Sequence, residues 1–237
     1  MNFGPAAQDY ARHRQTFPDA FFEQVPLRGD VLDLGAGTGA LARGYARRGA
    51  RVVATDLSLA MLAQAADLPR RVVARAEACP FRAASFDAIT AGQCWHWFDG
   101  PAVARECRRL LRPGGRLVIA HFNYLPLPGS VAEASERLLL ERHPSWGMAG
   151  LARLQGRWDA HLEGAGFQGL TSTAHELDLA YSHEAWRGRM RACNGVLALG
   201  PDRLGEYDAA LARLLREQFP EPLAVRHEVF ALVAQAP

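Results

Sequence analysis

Apolar runs and polar breaks alternate with a regular rhythm over the first half of the chain. Val31-Leu32-Asp33-Leu34 is a short apolar run that ends in glycines and predicts a strand. Ala40 to Arg48 predicts a helix, closed by Gly49. Arg51-Val52-Val53-Ala54-Thr55 predicts a second strand ending at Asp56, and Ser58 is placed to cap the helix that carries Leu59, Met61, Leu62 and Ala65. Arg71 to Ala74 and Phe86 to Ala91 predict strands three and four. A helix over Pro101 to Leu111 stops at a turn, Pro113-Gly114-Gly115, and Arg116 to Phe122 predicts strand five.

After Phe122 the rhythm breaks. Val131 to Glu141 and Leu151 to Leu162 predict helices, and Gly164-Ala165-Gly166-Phe167 turns into a sixth strand at about Leu170 to Leu177. Residues 181 to 218 predict helix with a break over Gly195 to Pro201, and Val225 to Val233 predicts a last strand. The expected organisation is a helical arm over 1–29, a ligand-binding core over 30–122, a lid insertion over 123–150, and the C-terminal half of the sheet over 151–237 with a helical insertion at about 181–220. Strands that alternate with helices predict an α/β fold: a doubly wound, seven-stranded, mostly parallel sheet, with a helical lid over its open end. Near-continuous apolar strands fit a sheet buried on both faces.

Composition narrows the function classes. All 27 basic residues are arginine, which codon bias explains better than any need for guanidinium forks. The net charge of +2 is spread along the chain, so neither a nucleic acid nor a membrane surface is signalled as partner. Cys79, Cys94, Cys107 and Cys193 form no C-x-x-C pair, and no metal-ligand spacing stands out. No apolar stretch reaches about 18 residues, and the first residues lack the pattern of a signal peptide. A cytoplasmic protein, monomer or homodimer, is the expectation.

The sharpest feature is Asp33-Leu34-Gly35-Ala36-Gly37-Thr38-Gly39, a glycine loop that leaves an apolar strand. Glycines there let the backbone turn tightly and approach a ligand. The spacing is G-x-G-x-G rather than the G-x-G-x-x-G that seats a dinucleotide pyrophosphate, and the carboxylate of Asp33 suits a cationic ligand end. Asp56, at the end of strand two, is placed to accept hydrogen bonds from ribose hydroxyls.

Several further segments line up in order. Asp56-Leu57-Ser58-Leu59-Ala60-Met61-Leu62, Ala76-Glu77-Ala78-Cys79-Pro80-Phe81, Ser85-Phe86-Asp87-Ala88-Ile89 and Leu110-Leu111-Arg112-Pro113-Gly114-Gly115 follow the glycine loop. As a set, over about residues 25 to 122, they resemble the class I S-adenosylmethionine-dependent methyltransferases, whose first motif is such a loop. Gln93-Cys94-Trp95-His96-Trp97-Phe98-Asp99 and Tyr10-Ala11-Arg12-His13-Arg14 resemble, more narrowly, methyltransferases similar to trans-aconitate methyltransferase.

The resemblance implies a Rossmann-like fold, S-adenosylmethionine as cofactor, S-adenosylhomocysteine as product, and a small-molecule methyl acceptor. It implies cofactor contacts at Asp33, Gly35, Ala36, Gly37, Gly39, Asp56, Leu57, Ala76, Glu77 and Gln93, with Phe81 and Cys94 near the adenine slot. Arg75 stands where many relatives carry aspartate, a departure at the adenine N6 contact. Tyr10 and Arg14 belong to an arm that in relatives folds over the active site.

Methyl transfer from a sulfonium asks the protein mainly to position and shield. Trp95, His96 and Trp97 follow strand four at the edge where an acceptor would sit, and His96 is the candidate general base for a hydroxyl acceptor. Asn123, Tyr124 and His121 stand at the end of strand five and are further candidates for acceptor contact. Arg187, Arg189 and Arg191 cannot all face one way on a helix, and a solvated surface is the simpler account of them. Oxygen is the favoured acceptor atom. Two other classes compete: a nicotinamide-dependent oxidoreductase, and a non-catalytic S-adenosylmethionine-binding regulatory protein.

Overall fold

Seven strands pair into one sheet in the order β3-β2-β1-β4-β5-β7-β6 in the computed structural model, which describes residues 13, 16–149 and 154–237. The strands are β1 (Asp30–Leu34), β2 (Arg51–Asp56), β3 (Arg71–Val73), β4 (Phe86–Gly92), β5 (Leu111–Tyr124), β6 (Gln168–Tyr181) and β7 (Leu223–Gln235). The central ones are apolar on both faces. Leu32 and Leu34 of β1, Ile89 and Ala91 of β4, and Leu117 and Ile119 of β5 face one core; Val31, Ala88, Val118 and Ala120 face the other. Alternate side chains of a strand point to opposite faces, so each core takes every second residue.

Helices cover both faces. On one lie α1 (Asp19–Gln24), α2 (Ala40–Ala46) and α3 (Leu59–Ala63); on the other, α4 (Gly100–Leu110) and α6 (Asp159–Gly164). Asp99 caps α4 by accepting the Ala102 N–H at 3.1 Å, and Ser58 caps α3 from the Met61 N–H at 3.3 Å. The remaining helices, α5 (Val131–Leu140), α7 (His183–Arg191), α8 (Asn194–Leu197) and α9 (Pro201–Gln218), build a third apolar cluster with Tyr124 of β5, Tyr181 of β6 and Val225 of β7. That cluster stands at the carboxyl end of β5, beside the exits of β1 and β4. No helix among the described residues is long and apolar enough to cross a membrane.

Several sequence expectations need correction. The sheet is mixed: β3, β2, β1, β4 and β5 pair in parallel, but β7 runs antiparallel to both β5 and β6. The Pro113-Gly114-Gly115 turn lies inside β5 as a bulge, where Phe86 pairs with Leu111 and Ala88 already pairs with Arg116. The helix expected over 151–162 is absent from 154–158. Gly156 has φ +74°, Trp158 packs into the core, and the helix begins only at Asp159.

Packing is tight where α1 meets α2. A Cβ placed on Gly44 would lie 2.0 Å from the ring of Phe22, which is 2% exposed and held edge-on against Tyr45. Gly44→Ala is therefore expected to destabilise the protein by about 1–3 kcal/mol, read as a lower urea midpoint. An unchanged midpoint would show that the Phe22 contact yields freely.

Candidate active site

Strand order reverses between β1 and β4, and the loops that leave these two strands part there. A cavity of about 710 Å³ opens at that point. Its size falls in the range of small-molecule pockets, roughly 300–1,000 Å³.

The glycine loop forms one wall. Gly35, Gly37 and Gly39 have φ of +56°, +56° and +86°. At Gly35 the space is also closed: a Cβ would stand 3.0 Å from Cys94 and from the Phe98 ring, so neither conformation nor volume admits a side chain. Gly35, Ala36 and Gly37 line the cavity, whereas Gly39 lies behind the loop as the residue before α2, facing Leu68 and Ala65.

Two carboxylates hold the loop. Asp33 is 1% exposed. Its Oδ1 accepts the Thr90 hydroxyl of β4 at 2.6 Å, and its Oδ2 accepts the Ala42 N–H of α2 at 3.1 Å. Burial pushes its carboxyl up to about 7, against the lowering effect of those two bonds. Asp56 accepts the Gly37 N–H at 2.9 Å on one oxygen and the Ser58 N–H at 2.7 Å on the other. Asp56 lines the cavity, and each of its oxygens keeps a second acceptor position.

Next to Asp56, Leu57 is 66% exposed at the cavity rim. Ala76 and Glu77 continue the wall, and Arg75, the departure noted above, pairs with Glu77 at 3.5 Å. Glu77 also accepts the Asp99 N–H at 3.3 Å, so its side chain ties the wall to the start of α4.

Gln93 takes a left-handed backbone at φ +62°, which costs a non-glycine residue on the order of 1–3 kcal/mol. Its N–H bonds to Ala120 and its side-chain amide donates to the Phe122 carbonyl, both on β5. These bonds offset the strain and hold the chain at the end of β4 against β5.

The far wall carries aromatic and polar side chains. His96 lines the cavity from a short 3-10 turn, Trp95–Trp97, with its ring 4.6 Å from Trp97 and 5.6 Å from His121. His121, 3% exposed, stacks on Trp158 at 5.0 Å. Asn123 and Tyr124 continue this wall from the end of β5, and Trp97 is exposed at the rim.

Most residues expected from the sequence thus meet in one cavity, with exceptions. Trp95 is 1% exposed and belongs to the core beneath, against Phe98, so the structure places it away from any acceptor. Phe81 is not among the lining residues and packs edge-on against Phe86. Tyr10 and Arg14 lie outside the described residues. Sequence reasoning missed Trp158 and Glu136, and it left Arg189 with the solvated surface; all three line the cavity. For Arg189 a signal was present: it shares a helix stripe with Trp186 and Met190, both fully buried.

A glycine loop at the switch point, a carboxylate at the end of β2 and a second wall facing them define a nucleotide-cofactor-binding α/β protein. Comparison with known proteins narrows this. Residues 32–119 match the model of a methyltransferase domain. The chain is 42% identical over 122 residues to an uncharacterized methyltransferase of Mycobacterium tuberculosis, covering 49% of this chain and 50% of that one. It is 39% identical over 126 residues to the malonyl-[acyl-carrier protein] O-methyltransferase of Enterobacter lignolyticus, covering 48% and 49%. A solved structure provisionally described as a type II methyltransferase, from Anaeromyxobacter dehalogenans, superposes with a TM-score of 0.67 at 27% identity over 94% of this chain and 97% of that one. Over residues 32–119 the chain is similar to methyltransferase domains, and over nearly its whole length to a solved structure so described. It spans about half the length of the curated relatives it matches.

The raised Asp33 acid has a thermodynamic consequence. A carboxyl whose folded value, about 7, exceeds its ordinary 3.8 binds its proton more tightly in the folded state. Stability is then full below pH 4 for this group and falls as pH rises toward 7. Between pH 5 and 8 the ligand-free protein is expected to lose on the order of 2–3 kcal/mol relative to Asp33→Asn, measured by urea unfolding of both. Parallel pH profiles for the two proteins would refute the assignment.

Proposed function

We propose that this chain transfers the methyl group of S-adenosylmethionine to a small-molecule acceptor, with oxygen the favoured atom. One observation carries the reading: a single cavity has the glycine loop and Asp56 on one wall and His96, His121 and Asn123 on the other, so two ligands can meet in it. When bound, the cofactor supplies an activated methyl group on a sulfonium.

The residues present fit that cofactor. Gly35 and Gly37 leave backbone room for its amino-acid end, and the buried Asp33 puts a group that ionises near neutrality behind a cationic centre. Asp56 offers acceptor positions to ribose hydroxyls. Leu57, Ala76 and Glu77 form the adenine slot, with the paired Arg75 at its edge. Gln93 holds the end of β4 where the reacting methyl would lie. His96 takes the proton of a hydroxyl acceptor, and Trp97 and Asn123 contact the acceptor. Helices α5 and α7 to α9 serve as a lid over this wall. Oxygen is favoured because one relative is named for O-methylation and because the acceptor wall carries a histidine able to take a hydroxyl proton.

Calorimetric titration with S-adenosylmethionine, S-adenosylhomocysteine and NAD tests the cofactor. Asp56→Ala is expected to weaken S-adenosylhomocysteine binding by about 1–3 kcal/mol through lost charged hydrogen bonds. Unchanged affinity in a folded variant would remove Asp56 from the ribose site. His96→Ala is expected to slow turnover by roughly 10²-fold or more and to flatten its pH profile while cofactor affinity stays level. An unaltered rate would return His96 to a packing role.

A further inference from the structure

The three arginines of α7 separate in the structure. Arg187 donates through Nε to Asp208 of α9 at 3.0 Å and through Nη1 to Glu184 at 3.0 Å. Arg191 donates to Asp208 at 3.1 Å and to Glu184 at 2.8 Å. These two stand four residues apart on one face, and their charge is met by two carboxylates. Arg189 faces the other way. It is 5% exposed, lies between the buried Trp186 and Met190, and lines the cavity.

Its guanidinium makes no hydrogen bond and no ion pair among the described residues; it lies over the Tyr124 ring, 5.2 Å from the centroid. Glu136 lines the same cavity, but its Oε1 accepts the Tyr124 hydroxyl at 3.1 Å, and no ion pair joins it to Arg189. A charge taken out of water without a hydrogen-bonding partner is costly, and a guanidinium does not escape the cost by losing its proton. Such a group in a ligand cavity is met by an anion that arrives with the ligand.

The position separates this anion from the cofactor. Arg189 sits over Tyr124, at the end of β5, and β5 is two strands from β1 in the sheet. At about 4.8 Å per strand that is roughly 10 Å from the glycine loop, on the acceptor side of His96. Neighbouring chemistry is of two kinds. Trp146 and Cys193 both donate to the Asn194 carbonyl oxygen, which leaves the Asn194 amide NH₂ as a further donor in the lining. Trp146, Met148, Leu154 and Trp158 supply apolar wall.

We infer that the methyl acceptor carries, apart from the hydroxyl that His96 serves, a carboxylate on an apolar body, and that the fork of Arg189 grips this carboxylate over the Tyr124 ring. A planar fork matches two carboxylate oxygens, and no second guanidinium among the buried lining residues calls for a more highly charged group. The inference rests on the methyltransferase reading for its word acceptor, but the anion grip stands on Arg189 itself.

The test uses the full chain saturated with S-adenosylhomocysteine and follows the fluorescence of Trp146 and Trp158. The probes are carboxylates from acetate to phenylacetate and decanoate, their neutral amides, and inorganic phosphate. At least one carboxylate is expected to saturate the signal at a concentration tenfold or more below its amide. Arg189→Met is expected to weaken that carboxylate tenfold or more and to leave S-adenosylhomocysteine affinity within twofold, with Arg189→Lys between. Equal binding of carboxylate and amide, an unchanged Arg189→Met, or binding of phosphate alone overturns the inference. So does an Arg189→Met that loses S-adenosylhomocysteine, since Arg189 would then hold the cofactor. Should Arg189→Met fail to fold, the carboxylate-against-amide comparison in the natural chain decides. Should S-adenosylhomocysteine not bind at all, the methyltransferase reading fails, and the same titration of the ligand-free chain still decides the grip.

Discussion

The site hangs on one buried carboxylate. Asp33 joins three elements that the chain brings from far apart: its own strand, Thr90 of β4, 57 residues on, and the first turn of α2 through the Ala42 N–H. Between these attachments runs the glycine loop. Asp56 adds a second clamp by accepting the Gly37 N–H from the neighbouring strand. Two carboxylates thus clamp a loop that also packs against Cys94, Phe98 and Leu68. Burying Asp33 disfavours its ionised form, and the opening between β1 and β4 is the place where a cationic ligand end would relieve that cost.

From this anchor the cavity divides along the sheet. The parallel strands β1 and β2 present the loop and Asp56, while β4 and β5 present His96, His121 and Asn123. Gln93 sits at the seam, its left-handed backbone tied to β5 by two hydrogen bonds. The antiparallel addition of β7 lets the C-terminal helices return to the carboxyl end of β5, where Arg189 and Asn194 line the cavity. That topology gives the cavity one half made by the glycine loop and Asp56 and another made partly by helices.

Much of this was legible in the residues. The central strands announce themselves because burial on both faces makes them continuous apolar runs, and Ser58 marks a helix start through its cap. The glycine loop and Asp56 were legible because backbone conformation and strand ends leave strong local signatures. Less legible was β6, which is half-exposed along most of its length and so lacks a clear pattern at its ends. Trp95 and Trp97, two residues apart, look alike in sequence, yet one is core and the other rim, since only the 3-10 turn decides which way each points. Arg189 was hidden for a related reason. Its partners in the stripe are visible in sequence, but the cavity it faces is made by Tyr124, 65 residues away.

Hydrogen–deuterium exchange of the full chain, with and without S-adenosylhomocysteine, tests most directly whether the cofactor sits where the two carboxylates put it. The account predicts slowed exchange over residues 33–39, 56–58, 74–77 and 93–98, with the outer edge strand β6 unchanged. Protection that misses the glycine loop, or that gathers on β6 and β7 instead, would contradict it.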